Sequence, residues 1–329
     1  MPATTDLLFA NFSTKLGRII TGRNCSLLND GRQRRHFGVE IEACDYDRNS
    51  YLDEDTAYGA INELFSPFDS IGEDLFKVKD DCSLAGNHFE MVTSPMTMNL
   101  LKSLNWEDFF NVLRTADYKQ TNFNDYDKAG IHVHVNRRSL HHPFEAAVNA
   151  LAFITENDDT IRRFARRAQS QWNDWCGTPF RLYNDIEEYL DKIKNGDYSD
   201  FGWEYTSNIR VDDTRYQAVN FCSSRTWELR IFNSTLEAED MRNILDFADA
   251  LWTLADTDHY DMSIEKMHDK LLEIGNVTAA NQMYEPPKDT HASDDYDYRD
   301  DDDYDEDDDY FKEYVADFSS PSDASLVRS

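Results

Sequence analysis

The chain has 329 residues, 40% of them hydrophobic and 13% aromatic, so it can build a substantial core in one large domain or two ordinary ones. It carries 33 basic residues against 64 acidic ones, a formal net charge of −31, which repels nucleic-acid phosphates and disfavours nucleic acid as a partner. No run of about 18 uncharged apolar residues occurs, so we expect no membrane-spanning helix.

The cysteines indicate a reducing compartment. They are odd in number, widely scattered and without a Cys-x-x-Cys pair, which is typical of reduced thiols and not of a disulfide framework. The first 23 residues also lack the pattern of a signal peptide. We therefore expect a cytoplasmic protein. The five cysteines are Cys25, Cys44, Cys82, Cys176 and Cys222.

In chain order, strand-like and helix-like segments follow one another. Six segments alternate apolar and polar residues with the period of a half-buried strand. They are His36–Cys44, Leu75–Asp80, His88–Thr93, Gly130–Asn136, Arg215–Cys222 and Thr226–Phe232. Apolar residues at three- and four-residue spacings predict helices between them. These are Asp55–Leu64, Thr97–Thr115, Phe144–Gln169, Ala238–Asp256 and Ile264–Ile274.

The order of these elements predicts an α+β fold. Short connections at Asp81–Asn87 and Ser223–Arg225 indicate hairpins, so the sheet should be mostly antiparallel. Helices on its apolar face would leave the other face free for polar residues lining a cleft.

The last 45 residues differ from the rest in composition. Residues 285–329 contain 17 acidic and four basic residues interleaved with tyrosines, and a like-charge run of this density does not compact. We therefore divide the chain into an N-terminal arm at 1–30, a folded main domain at 31–284 and a disordered acidic tail at 285–329. The tail either solubilises the protein, docks on a basic partner or mimics nucleic acid.

The first predicted strand brings two carboxylates together. Phe37, Val39 and Ile41 take one face, so Glu40 and Glu42 project from the other. Two neighbouring carboxylates repel each other unless water solvates them or a hard divalent cation neutralises them. The pair is therefore either a wet strand face or part of a metal site.

Three other predicted strands repeat this arrangement. In each, apolar residues fill one face and ionisable residues the other, and Gly130 permits close approach just before a His-x-His pair. The polar positions are Glu90, His132, His134, Glu228 and Arg230. The two histidines alone form half of a zinc site. Because carboxylates outnumber imidazoles, oxygen-rich coordination of Mg²⁺ or Mn²⁺ matches better.

An arginine-rich stretch ends the third predicted helix. Arg162, Arg163, Arg166 and Arg167 recur at spacings that place several of them on one helix face. They either bind an anionic group of a substrate or balance charge on the helix.

The motifs resemble those of the amidoligase family, which is related to glutamine synthetase and glutamate–cysteine ligase and is frequent in bacteriophage genomes and bacterial operons. The resemblance runs with gaps from Phe37 to Thr235. Its positions are Gly38, Glu40 and Glu42; Asp81, Ser83, Glu90, Val92, Ser94 and Pro95; Gly130, His132 and His134; Arg215, Tyr216, Ala218, Val219 and Asn220; and Thr226, Glu228, Arg230, Phe232 and Thr235.

This resemblance implies a fold and a set of roles. The fold is a curved six-stranded antiparallel sheet, a half-barrel like the catalytic domain of glutamine synthetase, with helices on the convex face and ATP and metal ions on the concave face. The implied metal ligands are Glu40, Glu42, Asp81, Glu90, Glu228 and His132, with Asp80 an alternative to Asp81. The implied cofactor-binding residues are His132, His134, Arg230, Arg215, Asn220 and Ser83, and the implied catalytic residues are Arg230, Glu228 and Arg215.

The implied activity is ATP- and Mg²⁺-dependent joining of a carboxylate to an amine through an acyl phosphate. The substrates would be small molecules, peptides or protein side chains, and the compartment would be a host cytoplasm if a phage encodes the protein. Two other hypotheses remain open. One is a noncatalytic binding module with a docking tail, and the other is a zinc hydrolase that uses His132 and His134.

Overall fold

A computed structural model describes residues 35–44, 51–66, 76–79, 87–118, 129–169, 172, 176, 186–197, 217–220, 223 and 225–287. Its strands are β1 (His36–Cys44), β2 (Tyr51–Leu52), β3 (Phe76–Lys79), β4 (Asn87–Thr93), β5 (Met96–Thr97), β6 (Gly130–Asn136), β7 (Val219–Asn220) and β8 (Thr226–Asn233). Its helices are α1 (Glu54–Leu64), α2 (Met98–Ser103), α3 (Trp106–Thr115), α4 (Pro143–Glu156), α5 (Asp158–Phe164), α6 (Ile186–Lys194), α7 (Ala238–Ala255), α8 (Ile264–Ile274) and α9 (Val277–Gln282).

One open sheet organises the described part of the chain. Its antiparallel strands follow the order β3, β4, β1, β6, β8, β7. The short β5 pairs antiparallel with β1, and the short β2 pairs parallel with β4. This topology confirms the predicted α+β class with a mostly antiparallel sheet.

The apolar face of the sheet carries the core. Val39, Ile41 and Val133 are each no more than 1% exposed, as period-two alternation requires. The long helix α7 lies among the elements that cover this face, and its Phe247 stacks on Phe164 with ring centroids 4.7 Å apart. Burying each such ring contributes about 1.5–3 kcal/mol, so the core face fixes which way the polar residues point.

Two predicted helices are each broken into two. The first divides at Leu104, which is extended with ψ 152°, and Asn105 then starts α3 by accepting a hydrogen bond from the Asp108 amide. The second divides at Asn157 and ends at Phe164, beyond which Arg166 has a positive φ of 59°. The predictions missed these breaks because apolar periodicity continues through them.

A β-bulge interrupts the pairing of β6 with β8. Ile131 pairs with Phe232 and Val133 pairs with Leu229, so β8 has one residue more than β6 in this interval. The extra residue turns Phe232 into the core, where it is 1% exposed and packs edge-on against Phe247. Strict alternation from Glu228 and Arg230 would have put Phe232 on the polar face.

Several predictions fall outside the described residues. They concern the N-terminal arm, the acidic tail, Asp80, Asp81, Ser83 and Arg215, and they stay predictions. The described strands β3 and β7 are shorter than predicted: the residues on both sides of β3 lie outside the described ranges, whereas Gln217 and Ala218, directly before β7, are described and are not part of the strand. None of the helices in the described ranges combines the length and the apolar composition that crossing a membrane requires.

Candidate active site

Strand register brings the predicted site residues to one face. Glu40 on β1 lies opposite His132 on β6, and His134 lies opposite Glu228 on β8. Directly opposite residues of antiparallel strands project to the same side, so these four side chains share the polar face. The register extends outward in both directions, with Asn220 opposite Glu228 and Glu90 opposite Glu42.

Glu40 lies at the centre of the resulting cluster. Its Oε1 is 2.9 Å from His132 Nδ1, and its Oε2 is 3.6 Å from His134 Nε2. A carboxylate accepts hydrogen bonds, so His132 donates from Nδ1 and keeps its lone pair on Nε2. That nitrogen lies 3.9 Å from Glu42 Oε1. Glu40, Glu42 and His132 each offer one ligand atom within 4.8 Å of the others.

Glycine at position 130 shapes the same corner. Its backbone N–H donates to Glu42 Oε2 at 2.7 Å, which fixes that carboxylate beside His132. A Cβ on residue 130 would lie 3.2 Å from His132 Nε2 and 2.5 Å from Arg167 Nη2. The missing side chain therefore leaves room for both groups.

On the other side of the histidines, Glu228 is held by two donors. Arg230 Nη1 donates to Oε1 at 2.5 Å and Asn220 Nδ2 donates to Oε2 at 2.7 Å. The same Oε1 lies 3.3 Å from His132 Nδ1. Arg230 Nε is buried and makes no hydrogen bond within the described part of the chain.

Glu90 completes the polar face toward β3. Lys79 lies opposite it in the register, and Lys79 Nζ is 2.5 Å from Glu90 Oε1. The carboxylate of Glu90 is therefore paired with a lysine.

The sequence comparison assigns a family to this arrangement. A family model described as "putative amidoligase enzyme" matches residues 33–252, about two thirds of the chain and every strand that carries the cluster. The chain belongs to the amidoligase family. A search of curated proteins finds no significant match. Membership indicates a ligase-type function.

Burial and charge set the ionisation of the amidoligase cluster. Burial raises the pKa of Glu40, but His132 and His134 outweigh it and hold that pKa well below its ordinary value. Burial likewise opposes the ionised form of Glu228, yet the charge of Arg230 followed by the two histidines lowers its pKa. Both carboxyls are therefore ionised at neutral pH.

The two histidines differ in their ionisation. Burial and the charge of Arg230 lower the pKa of His132. Burial also opposes protonation of His134, but the adjacent Glu40 and Glu228 raise its pKa above the ordinary value. His132 is therefore the neutral imidazole, the form that ligates metals, while His134 is the better proton carrier.

These donors fit a hard divalent cation. Glu40 and Glu42 supply carboxylate oxygens and His132 supplies one imidazole nitrogen, a set suited to Mg²⁺ or Mn²⁺. The zinc hydrolase hypothesis instead requires both His132 and His134 as ligands, as in catalytic zinc sites that combine two histidines with a carboxylate. Within the described residues, the three-member group contains one histidine and no cysteine. The zinc hypothesis is therefore the poorer fit to this amidoligase.

The arginines of the predicted third helix divide between two roles. Arg162 and Arg163 contact Asp159, and Arg166 contacts Asp240, as charge balance predicts. Arg167 instead is 2% exposed and donates to the carbonyl oxygens of Ile231 at 3.4 Å and Phe232 at 2.8 Å. It binds the sheet at the bulge of β8.

Lys79 and Cys176 lie near the site but were not predicted to belong to it, and Arg167 was predicted only as one of four arginines that either bind an anionic group or balance charge. Lys79 was identifiable in principle, because Lys77 and Lys79 alternate with apolar residues in β3. Arg167 belongs to the arginine-rich stretch, but no pattern separates it from the other three arginines, and Cys176 has no pattern of this kind. Cys176 Sγ donates to the Arg230 carbonyl oxygen at 3.3 Å, and burial raises the pKa of its thiol.

Proposed function

We propose that this amidoligase is an ATP-dependent ligase that joins a carboxylate to an amine and forms an amide or isopeptide bond through an acyl phosphate. The observation that carries the proposal is the convergence of Glu40, Glu42 and His132 within 4.8 Å, on the same face as the guanidinium of Arg230. Ligand atoms for a cation and a donor for an anion thus lie side by side.

The chemistry needs both kinds of group. A carboxylate is a poor electrophile because its oxygen leaves poorly, and phosphorylation converts that oxygen into a good leaving group. Glu40, Glu42 and His132 would hold Mg²⁺ or Mn²⁺, with Asp81 and Glu228 as further ligands that the family resemblance implies. A bound cation of this kind supplies positive charge that shields the triphosphate.

The reaction would proceed in two balanced steps. An oxygen of the substrate carboxylate attacks the terminal phosphorus of ATP, and the bond from that phosphorus to ADP breaks. The amine nitrogen then attacks the acyl carbon, the carbon–oxygen bond breaks, phosphate leaves and the nitrogen loses a proton. Arg230, together with Arg215, would stabilise the charge spread over the transferring phosphoryl group. His134, Asn220 and Ser83 would contact the nucleotide.

Three groups are candidates for the base that takes the proton from the amine. Glu228 is an ionised carboxylate in the cluster, and His132 and His134 are imidazoles beside it. Binding a metal through His132 would leave Glu228 or His134 for this role. The substrates themselves would be small molecules, peptides or protein side chains that carry the carboxylate or the amine.

Trapping the activated carboxylate tests the proposal before the amine is known. The protein would be incubated with ATP, Mg²⁺ and hydroxylamine across a panel of carboxylates, and hydroxamate formation and phosphate release would be measured together. We expect stoichiometric, ATP-dependent products with at least one carboxylate, and loss of both products in Glu40→Gln and Arg230→Ala. Asp240→Asn is a control outside the cluster.

Two results would contradict the proposal. Calorimetry that detects no binding of ATP with Mg²⁺ would favour a noncatalytic module on the same fold. Stoichiometric zinc in the purified protein, lost together with hydrolytic activity in His132→Ala, would favour a metal hydrolase.

A further inference from the structure

The edge of the carboxylate cluster carries a lysine that none of the roles above uses. Lys79 lies on β3 in one cross-strand row with Glu90 and Glu42. Because opposite residues share a face, the ammonium group of Lys79 belongs to the same polar face as the candidate metal ligands.

The contact of Lys79 with Glu90 is direct. Nζ lies 2.5 Å from Oε1, and the side chains are 34% and 12% exposed. An ammonium group has three N–H donors, and Glu90 engages one of them in this contact. The lysine is thus held at one end by a carboxylate while a third of its side chain faces solvent at the border of the cluster.

The charges of the cluster divide into two sets. Glu228 is paired with Arg230 and Glu90 with Lys79, each at 2.5 Å. Glu40 and Glu42 instead face His132, and the three residues form the group of possible metal ligands. Among the described residues, that group does not include Glu90. Binding of a metal ion by Glu90 would require breaking its ion pair with Lys79.

We propose that Lys79 contacts the phosphates of the nucleotide and that Glu90 positions the Lys79 ammonium group, in place of the metal-ligand role that the family resemblance implies for Glu90. This inference rests on the proposed function. Arg230 on β8 and Lys79 on β3 lie on opposite sides of the β1 carboxylates, so an anion bound over the cation has a donor on each side.

Metal binding measured without nucleotide tests the role of Glu90. Binding of Mn²⁺ without nucleotide would be measured by electron paramagnetic resonance in the wild type, Lys79→Met, Glu90→Gln and Glu40→Gln. We expect Glu40→Gln to abolish it, and Lys79→Met and Glu90→Gln to change it by no more than about twofold. If Glu90→Gln weakens Mn²⁺ binding as much as Glu40→Gln does, Glu90 is a metal ligand and the inference is wrong.

The role of Lys79 is tested with ATP and AMP in the presence of Mg²⁺. We expect Lys79→Met and Glu90→Gln to weaken ATP binding about tenfold or more, which is typical for loss of a charge-assisted hydrogen bond, and to weaken AMP binding less. Lys79→Arg should retain most of the affinity. Lys77→Met is the matched control, because Lys77 lies on the same strand and face but opposite Val92.

These experiments distinguish failure of this inference from failure of the proposed function. Unchanged ATP affinity in Lys79→Met, with tight binding in the wild type, overturns the role of Lys79 and leaves the ligase proposal intact. A wild type that binds Mn²⁺ but neither ATP nor AMP overturns both. Circular dichroism of each variant separates loss of folding from loss of binding.

Discussion

The guanidinium group of Arg167 lies in the space that a side chain on residue 130 would need. A Cβ on Gly130 would stand 2.5 Å from Arg167 Nη2, closer than nonbonded atoms approach, and 3.2 Å from His132 Nε2. Arg167 is also fixed, because it donates to the Phe232 carbonyl oxygen at 2.8 Å in the bulged part of β8. The glycine therefore allows a buried arginine and the candidate metal site to share one corner of the sheet.

Replacing this glycine should damage both folding and metal binding. We expect Gly130→Ala to lower the free energy of unfolding by about 1–3 kcal/mol, the usual cost of overpacking. The displaced Glu42 and His132 should also bind Mn²⁺ more weakly. Gly59→Ala is the control, since its Cβ would meet Val112 at 3.8 Å, and there we expect a gain of about 0.5–1 kcal/mol. Equal stabilisation by both changes in denaturant titrations would contradict the geometry.

Arg230 should support the fold in a pH-dependent way. Burial raises the pKa of Glu228, but nearby positive charge, mainly that of Arg230, outweighs burial and lowers this pKa. A carboxyl whose pKa is lower in the folded state stabilises the fold above the ordinary glutamate pKa of about 4.3, and that stability is lost as the pH falls through the folded value. We expect Arg230→Met to cost about 3 kcal/mol at pH 7 and progressively less as the pH falls below about 4.3. Arg230→Lys should restore much of this stability. A loss independent of pH would show that the ion pair is not its source.

Divalent cations should stabilise the protein through β1 and β6. At 100 times the dissociation constant, a single bound ion adds about 2.7 kcal/mol to the free energy of unfolding. We therefore expect Mg²⁺ or Mn²⁺ to raise the melting temperature and a chelator to reverse the rise. Glu42→Gln and His132→Gln should abolish the effect, whereas Asp240→Asn, which removes a carboxylate paired with Arg166, should preserve it. An undiminished rise in Glu42→Gln would exclude this carboxylate as a ligand.

Asn276 should stabilise the packing of α9 against α7. It is 9% exposed, donates to Asn243 Oδ1 at 2.9 Å and Asp246 Oδ2 at 2.8 Å, and accepts from the Ala279 amide at the start of α9. We expect Asn276→Ala to cost about 2 kcal/mol, because a helix cap is lost and buried polar groups lose their donor. Thermal unfolding measures this loss, and Mn²⁺ binding to the folded variant should stay unchanged.

Much of the sheet was predictable because alternation is a local property of the sequence. β1 and β6 have the bounds that the alternation predicted, since Val39, Ile41, Ile131 and Val133 are bulky apolar residues at strict two-residue spacing. The pairs Glu40–Glu42 and His132–His134 follow from the same spacing. The break at Asn105 was also within reach, because an asparagine followed by Glu107 and Asp108 is a helix-start pattern.

Other features depend on tertiary contacts that no local pattern encodes. The bulge that turns Phe232 into the core arises from the pairing of β8 with β6, and Arg167 reaches the sheet from a turn after α5. The ion pair of Lys79 with Glu90 requires the register of β3 on β4. Sequence reasoning identified which residues are polar on each strand, but not which of them satisfy one another.

The alternation of β1 and β6 ties recognition to a single alignment of two strands. Glu40 faces His132 only while Ile41 faces Ile131, so a slip by one residue would present aliphatic groups to the ligand and send both imidazoles into the hydrocarbon interior. An ion bound by residues of both strands would oppose that slip. Metal binding and the register of the two strands would therefore be coupled.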